Sequence, residues 1–174
     1  MDRFARSAEI LHDLLHIQHE RTSVYEKLLQ YPDQDHSVCK CLNEIAQHSR
    51  HSMYELRGHM DVHCGDPADH VQVKGPIYRK WPGTKQLLPG SSPAEILQYC
   101  EYNEKQAVLA YQEAIDWEEW EEDMRELLAE QLKNLRQSSK LLNKCREKPI
   151  APASAHVERI SFSRNKVAEW AWIE

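Results

Sequence analysis

Glu104 stands in the middle of an apolar stripe, seven residues after Leu97, four after Cys100 and seven before Tyr111. A carboxylate at such a place needs a cation, a proton or hydrogen-bond donors. His48 and His51 offer matching chemistry, because three-residue spacing on a helix turns two side chains toward one side. Gln18, Gln131 and Asn134 fall on the inward stripes of their own segments. Gln18, His48, Glu104, Gln131 and Asn134 therefore form one expected polar layer. Two chemistries follow. Glu104, His48 and His51 make a candidate metal site for iron, manganese or zinc, with no cofactor at all as the equal alternative. The bland alternative is a buried hydrogen-bonded layer that sets the register between packed segments.

Other reactive residues point less clearly to a site. His12, His16 and His19 line one side of a segment, and His59 and His63 are four apart; either set has the spacing for a surface metal ion, though histidines on a polar face are usually only solvated. Cys39, Cys41, Cys64, Cys100 and Cys145 are an odd set without a CxxC, which suits reduced core thiols. No Gly-rich phosphate loop, nucleophile elbow or triad is present.

The elements that must position these residues read as long helices. A first helix is expected from about Ser7 to Gln30, with Leu11, Leu14, Leu15, Tyr25, Leu28 and Leu29 on its apolar side. A second starts near Asp35 and carries Val38, Cys41, Leu42, Ile45, Leu56 and Val62 inward, with Gly65 and Pro67 ending it. Residues 66–92 hold Pro67, Pro76, Pro82 and Pro89 with Gly75, Gly83 and Gly90, and read as a long crossover. A short helix within it would pack through Ile77, Trp81 and Leu87-Leu88. Ser92-Pro93-Ala94-Glu95 is a capping box with Pro at the first helical position, and the helix it opens runs to about Trp117. A last helix runs from near Glu121 to Pro149, its acidic first turn favoured by the helix dipole.

The two halves also repeat. Ala8-Glu9-Ile10-Leu11 returns 86 residues later as Ala94-Glu95-Ile96-Leu97, and Tyr25 returns as Tyr111. Leu42, Glu44, Arg50, Ser52 and Leu56 return in the same register as Leu128, Glu130, Arg136, Ser138 and Leu142. One register kept across two segments predicts two copies of a helical hairpin, with Gln18 and Glu104 as counterparts. The expected fold is all-α: a four-helix bundle over 1–148, with hairpins 7–65 and 93–148 and crossover 66–92. A tail, 149–174, would dock on the bundle or on a partner subunit, since Trp170 and Trp172 are poorly placed in water. One long crossover is the connectivity of ferritin-like bundles.

Composition bounds the partners. A net charge of −6 without a dense Lys/Arg face argues against nucleic acid. No apolar run is long enough to span a bilayer and Met1–Ala8 lacks the apolar stretch of a signal peptide, so the expectation is no membrane partner and a cytoplasmic location.

The chain resembles a group of bacterial ferritin-like proteins assigned to a domain of unknown function. The likeness is clearest over Ile96–Arg146, where Glu101-Tyr102-Asn103-Glu104, Ala110-Tyr111-Gln112-Glu113-Ala114 and Leu127-Leu128-Ala129-Glu130-Gln131-Leu132 look like that group's third and fourth helices. Ile45–Asp66 is similar to its second helix and exit turn, and Trp81 lies where the group has a tryptophan-bearing short helix. Glu104 matches a Glu of the group; His48 stands where the group tends to have Glu, and His51 where it has Gln or His. The resemblance implies a self-associating bundle, a homodimer in the simplest case, with a metal role suspected. Two functions are carried forward. One is a non-catalytic binding or stress-associated protein with an altered or vestigial metal site, with the tail as a possible contact for another protein. The other is a metal-dependent oxidoreductase or metal-storage protein using iron or manganese.

Overall fold

The computed structural model describes residues 3–30, 36–63, 75–82 and 92–147. Five α-helices and no strand occur among the described residues: α1 (Arg3–Leu29), α2 (His36–His63), α3 (Pro76–Lys80), α4 (Pro93–Ile115) and α5 (Glu122–Glu147). The expected Leu87-Leu88 contact, the Gly65 helix end and the docking of 149–174 lie outside the described residues.

Local chemistry explains where the helices begin and end. At α4 the Ser92 hydroxyl accepts from the Glu95 backbone N–H at 3.3 Å, while the Glu95 carboxylate accepts from the Ser92 N–H at 2.7 Å. These two reciprocal bonds satisfy donors that the first helical turn leaves free. The Ser92 N–H first, and then the Ser92 hydroxyl donating to the same carboxylate at 2.8 Å, hold the Glu95 carboxyl below its ordinary pKa. Helix α5 opens on Glu122 and Asp123 and closes on Lys144 and Arg146, each sign matched to its end of the dipole. Between α4 and α5 the Trp120 indole donates to the Ala114 carbonyl at 2.7 Å and meets Trp117 edge-on, capping that end of the molecule.

The four long helices pack α1 on α2, α4 on α5, α1 on α4 and α2 on α5. Gln18 bonds Tyr111 while Tyr25 bonds Glu104, so α1 and α4 run antiparallel. Gln131 reaches the Ser52 carbonyl and the Cys145 thiol faces the Ser37 carbonyl, so α2 and α5 are antiparallel as well.

Several positions 86 residues apart share their burial, although Ala8 is buried and Ala94 exposed. Leu11 and Leu97, Tyr25 and Tyr111, Leu42 and Leu128, Ser52 and Ser138, and Leu56 and Leu142 are buried in both halves.

The short α3 is locked to α1 by two carboxylates of α1, while its Lys80 pairs with Glu113 of α4 at 2.6 Å. Buried Asp13 accepts from the backbone N–H groups of Gly75 at 2.7 Å, Ile77 at 3.1 Å and Tyr78 at 3.0 Å. Glu20 accepts from the Tyr78 hydroxyl and, at 2.9 Å, from the Trp81 indole. Gly75 is required by the close approach, since a Cβ there would stand 2.4 Å from the Asp13 carboxylate. Ile77 and Trp81 are buried, as expected.

The apolar core is divided in two. One cluster gathers Leu11, Leu14, Ile77, Trp81, Trp120 and Leu128; the other gathers Leu28, Leu42, Ile45, Leu97 and Leu142. Full burial of each such side chain contributes about 1.5–3 kcal/mol. Gln18, Arg21, Thr22, Ser49, Asn103 and Glu104 lie between the two clusters along their helices, and all are buried. No helix among the described residues is long and apolar enough to cross a membrane.

Candidate functional site

The dividing layer is built from a helical stripe in α1 that changes character midway. Leu14, Gln18, Arg21, Tyr25 and Leu28 recur at spacings of four and three, so the three polar residues must point where the two leucines point. Arg21 is 2 % exposed and Glu104 is fully buried. The guanidinium donates to Glu104 Oε1 through Nη2 at 2.5 Å and through Nε at 3.1 Å. The Tyr25 hydroxyl donates to the same oxygen, and the Arg21 guanidinium lies 5.9 Å from the Tyr25 ring centroid. Arg21 Nη1 donates to the Gln18 amide oxygen, which also accepts from Ser49 at 2.7 Å.

From Gln18 the network crosses the molecule. Its amide nitrogen donates to the Tyr111 hydroxyl at 2.7 Å, and that hydroxyl donates to the Gln131 amide oxygen at 2.7 Å. Gln131 in turn donates to Glu55 at 2.9 Å and to the Ser52 carbonyl at 3.3 Å. Glu55 faces His51 at 3.4 Å, where the side chain is 69 % exposed. One connected path therefore runs from Glu104 through Arg21, Gln18, Tyr111, Gln131 and Glu55 to His51 at the surface.

Electrostatics follow from burial and pairing. Burial pulls the Arg21 pKa down, but the Glu104 carboxylate and then Tyr25 more than offset it, leaving Arg21 above the ordinary arginine value. Tyr25 is pushed well up, by burial first and then by the Glu104 charge. Burial also raises Tyr111. The Cys41 thiol goes up through burial and then its neighbour Cys145, and Cys100 through burial and then Glu104. The interior phenols and thiols are thus held in their protonated forms at neutral pH.

The structure brings Glu104, Gln18 and Gln131 into one network, with His51 at its outer end. It places His48 half-buried in a groove between α2 and α5, and Asn134 is only half-buried. The His48 and His51 imidazoles have no bond to Glu104. Among the described residues no group of three or more His, Cys, Asp and Glu side chains is arranged to hold a metal ion. A donor set of one carboxylate already held by a guanidinium does not fit a dinuclear centre, which needs several anionic oxygens around two cations. On the outer side of α1, the His12 and His16 rings lie 4.6 Å apart, and His16 has its pKa lowered by partial burial and then by His12.

Sequence reasoning missed Arg21. Its signal was present, three residues after Gln18 and four before Tyr25 on the same stripe, but a charged residue at such a position reads first as solvated. Ser49, Thr22 and Glu55 were also missed; nothing short of the helix pairing selects them.

Neither the curated proteins nor the solved structures contain a match to this chain. A match to a family does exist, over residues 7–117, which run from within α1 through α4 and stop before α5. The chain belongs to the family described as Domain of unknown function (DUF2383).

Proposed function

We propose that this chain is a ferritin-like four-helix bundle of two duplicated hairpins whose interior cation is an arginine, and that it serves as a non-catalytic binding protein, self-associating in the cytoplasm. The Arg21–Glu104 pair carries this reading. A guanidinium remains charged at any physiological pH, so it neutralises Glu104 permanently, with no need for a metal ion or a proton. Each half supplies one side of the pair, which ties the hairpins together in a single register. The shared burial of positions 86 residues apart, the antiparallel run of α1 against α4, and the long separation between α2 and α4 support duplication with one crossover.

Chemistry in the layer is poorly served. Its phenols and the neighbouring thiols are pushed away from their reactive anions, and Glu104 is shut off from solvent. Such a layer fixes structure and leaves recognition to the outer surface.

One observation favours a second reading, a metal-dependent oxidoreductase or metal-storage protein. Glu104 Oε2 is buried with no hydrogen-bond partner, so half of the carboxylate is open to a further cation. Metal analysis of protein purified without an affinity tag separates the two. The binding-protein reading expects iron, manganese and zinc well below stoichiometric amounts, with Glu104→Ala lowering stability but not metal content. Stoichiometric iron or manganese that disappears in Glu104→Ala would overturn it.

A further inference from the structure

We propose that the groove between α2 and α5 is a binding site for a small free oxyanion, with His48, Ser138, Lys140 and Lys144 as its ligands. The groove is half-open, offers about 200 Å³, and is lined by these residues together with Glu44, Gln137 and Leu141. Two of the lining residues each carry a buried polar atom with no hydrogen-bond partner: Nδ1 of His48 on α2 and the hydroxyl of Ser138 on α5. Ser138 is 2 % exposed, so its hydroxyl cannot turn out into bulk water. Buried polar atoms are nearly always satisfied, and two orphans from facing helices in one groove call for a shared occupant.

The chemistry of the lining selects an anion. The Ser138 hydroxyl and the Gln137 amide can donate, His48 Nδ1 does so in one tautomer, and the Lys140 and Lys144 ammonium groups can add only donors. Two lysines against the single carboxylate of Glu44 leave the groove with an excess of positive charge, which repels metal cations. Size sets the rest. Pockets for drug-sized ligands start at about 300 Å³, so this one suits an ion of a few heavy atoms. Lys140 and Lys144 are exposed at the rim, where flexible ammonium groups can draw a free ion in and close over it. The interior network includes neither His48 nor Ser138, so this site stands or falls independently of the role given to Arg21 and Glu104.

Calorimetric titration and thermal melting of the full chain test the assignment. Inorganic phosphate and acetate are the probes, and sodium chloride at equal ionic strength is the control. Saturable binding of either probe, with a rise in melting temperature beyond that in chloride, is the expected result. Preference for phosphate identifies a tetrahedral oxyanion and preference for acetate a carboxylate; both support the site. Lys144→Gln and Ser138→Ala should each weaken binding by about tenfold or more, as hydrogen bonds to charged groups do. Without probe, Ser138→Ala should be as stable as the parent protein, since it removes an unsatisfied hydroxyl. Equal melting shifts in chloride and both probes, or binding unchanged in both variants, would overturn the proposal.

Discussion

Helices α1 and α4 put side chains in the same places and different chemistry in those places. Gln18 and Glu104 are both buried, as are Tyr25 and Tyr111, and each tyrosine bonds the polar residue of the other helix. Arg21 has Ala107 as its counterpart, Asp13 has Tyr99 and Glu20 has Gln106. Helix α1 therefore carries the interior cation and both carboxylates that grip α3, while α4 carries the interior anion. The lesson is that an apolar pattern common to two helices sets where residues go, and the side chains placed on it then divide the charges between those helices. The two most buried carboxylates show how far this division reaches. Glu104 is neutralised by a full opposite charge, whereas Asp13 is held by three neutral peptide N–H groups at the start of a helix.

Breaking the charge division should have the largest effect. Glu104→Ala leaves Arg21 charged and unpaired in the core and should cost about 3–5 kcal/mol, read as a shift in the urea unfolding midpoint. Glu104→Gln keeps an acceptor but not the charge, and should cost less. Replacing the pair together, as Arg21→Met with Glu104→Leu, should be neutral to stabilising, because no charge is then left buried. A Glu104→Ala loss below about 1 kcal/mol would mean that the pair is solvated and the asymmetry has no energetic weight.

Next in size is the grip on α3. Asp13→Ala strands three N–H groups and should cost about 1–3 kcal/mol. Its effect should be local, with a red shift in Trp81 fluorescence under conditions where the four long helices keep their circular dichroism. A change confined to global unfolding would show α3 to be part of the main cooperative unit.

Smaller again is the crossing of tyrosines. Tyr111→Phe leaves Gln18 Nε2 without its acceptor and takes the hydroxyl donor from Gln131, and should cost about 1–2 kcal/mol. Tyr25→Phe should cost less, since Glu104 Oε1 keeps both Arg21 bonds. The reverse order would shift the weight of the layer to the Glu104 side.

The smallest effect appears only in alkali. Tyr78 is pushed up to about 12 from its ordinary 10, by burial first and then by its bond to Glu20. A phenol whose folded pKa is raised holds its proton longer folded than unfolded. Its contribution is fully present below pH 10 and is lost as the pH climbs toward 12. The tyrosinate absorbance of the parent chain minus that of Tyr78→Phe should rise only as the circular dichroism is lost, and a rise near pH 10 in the folded chain would contradict the Glu20 grip.

Much of this was legible in the residues. The capping box at Ser92, the burial of Gln18, Glu104 and Gln131, and the buried Ile77 and Trp81 each followed from spacing. Spacing fixes which side of a helix a residue occupies, and burial follows the side. The partners were not legible. Arg21 had to be brought across from a helix more than eighty residues away to meet Glu104, and His48 had to land opposite Ser138 rather than Glu104.

The chain by itself therefore determined its helices, their inner faces and the height at which polarity interrupts the core, because periodicity and capping act over a few residues. Only the tertiary structure decided that the interior carboxylate meets a guanidinium and that His48 and Ser138 share a groove. Such pairings depend on the rotation and offset of helices far apart in sequence, which no local pattern encodes.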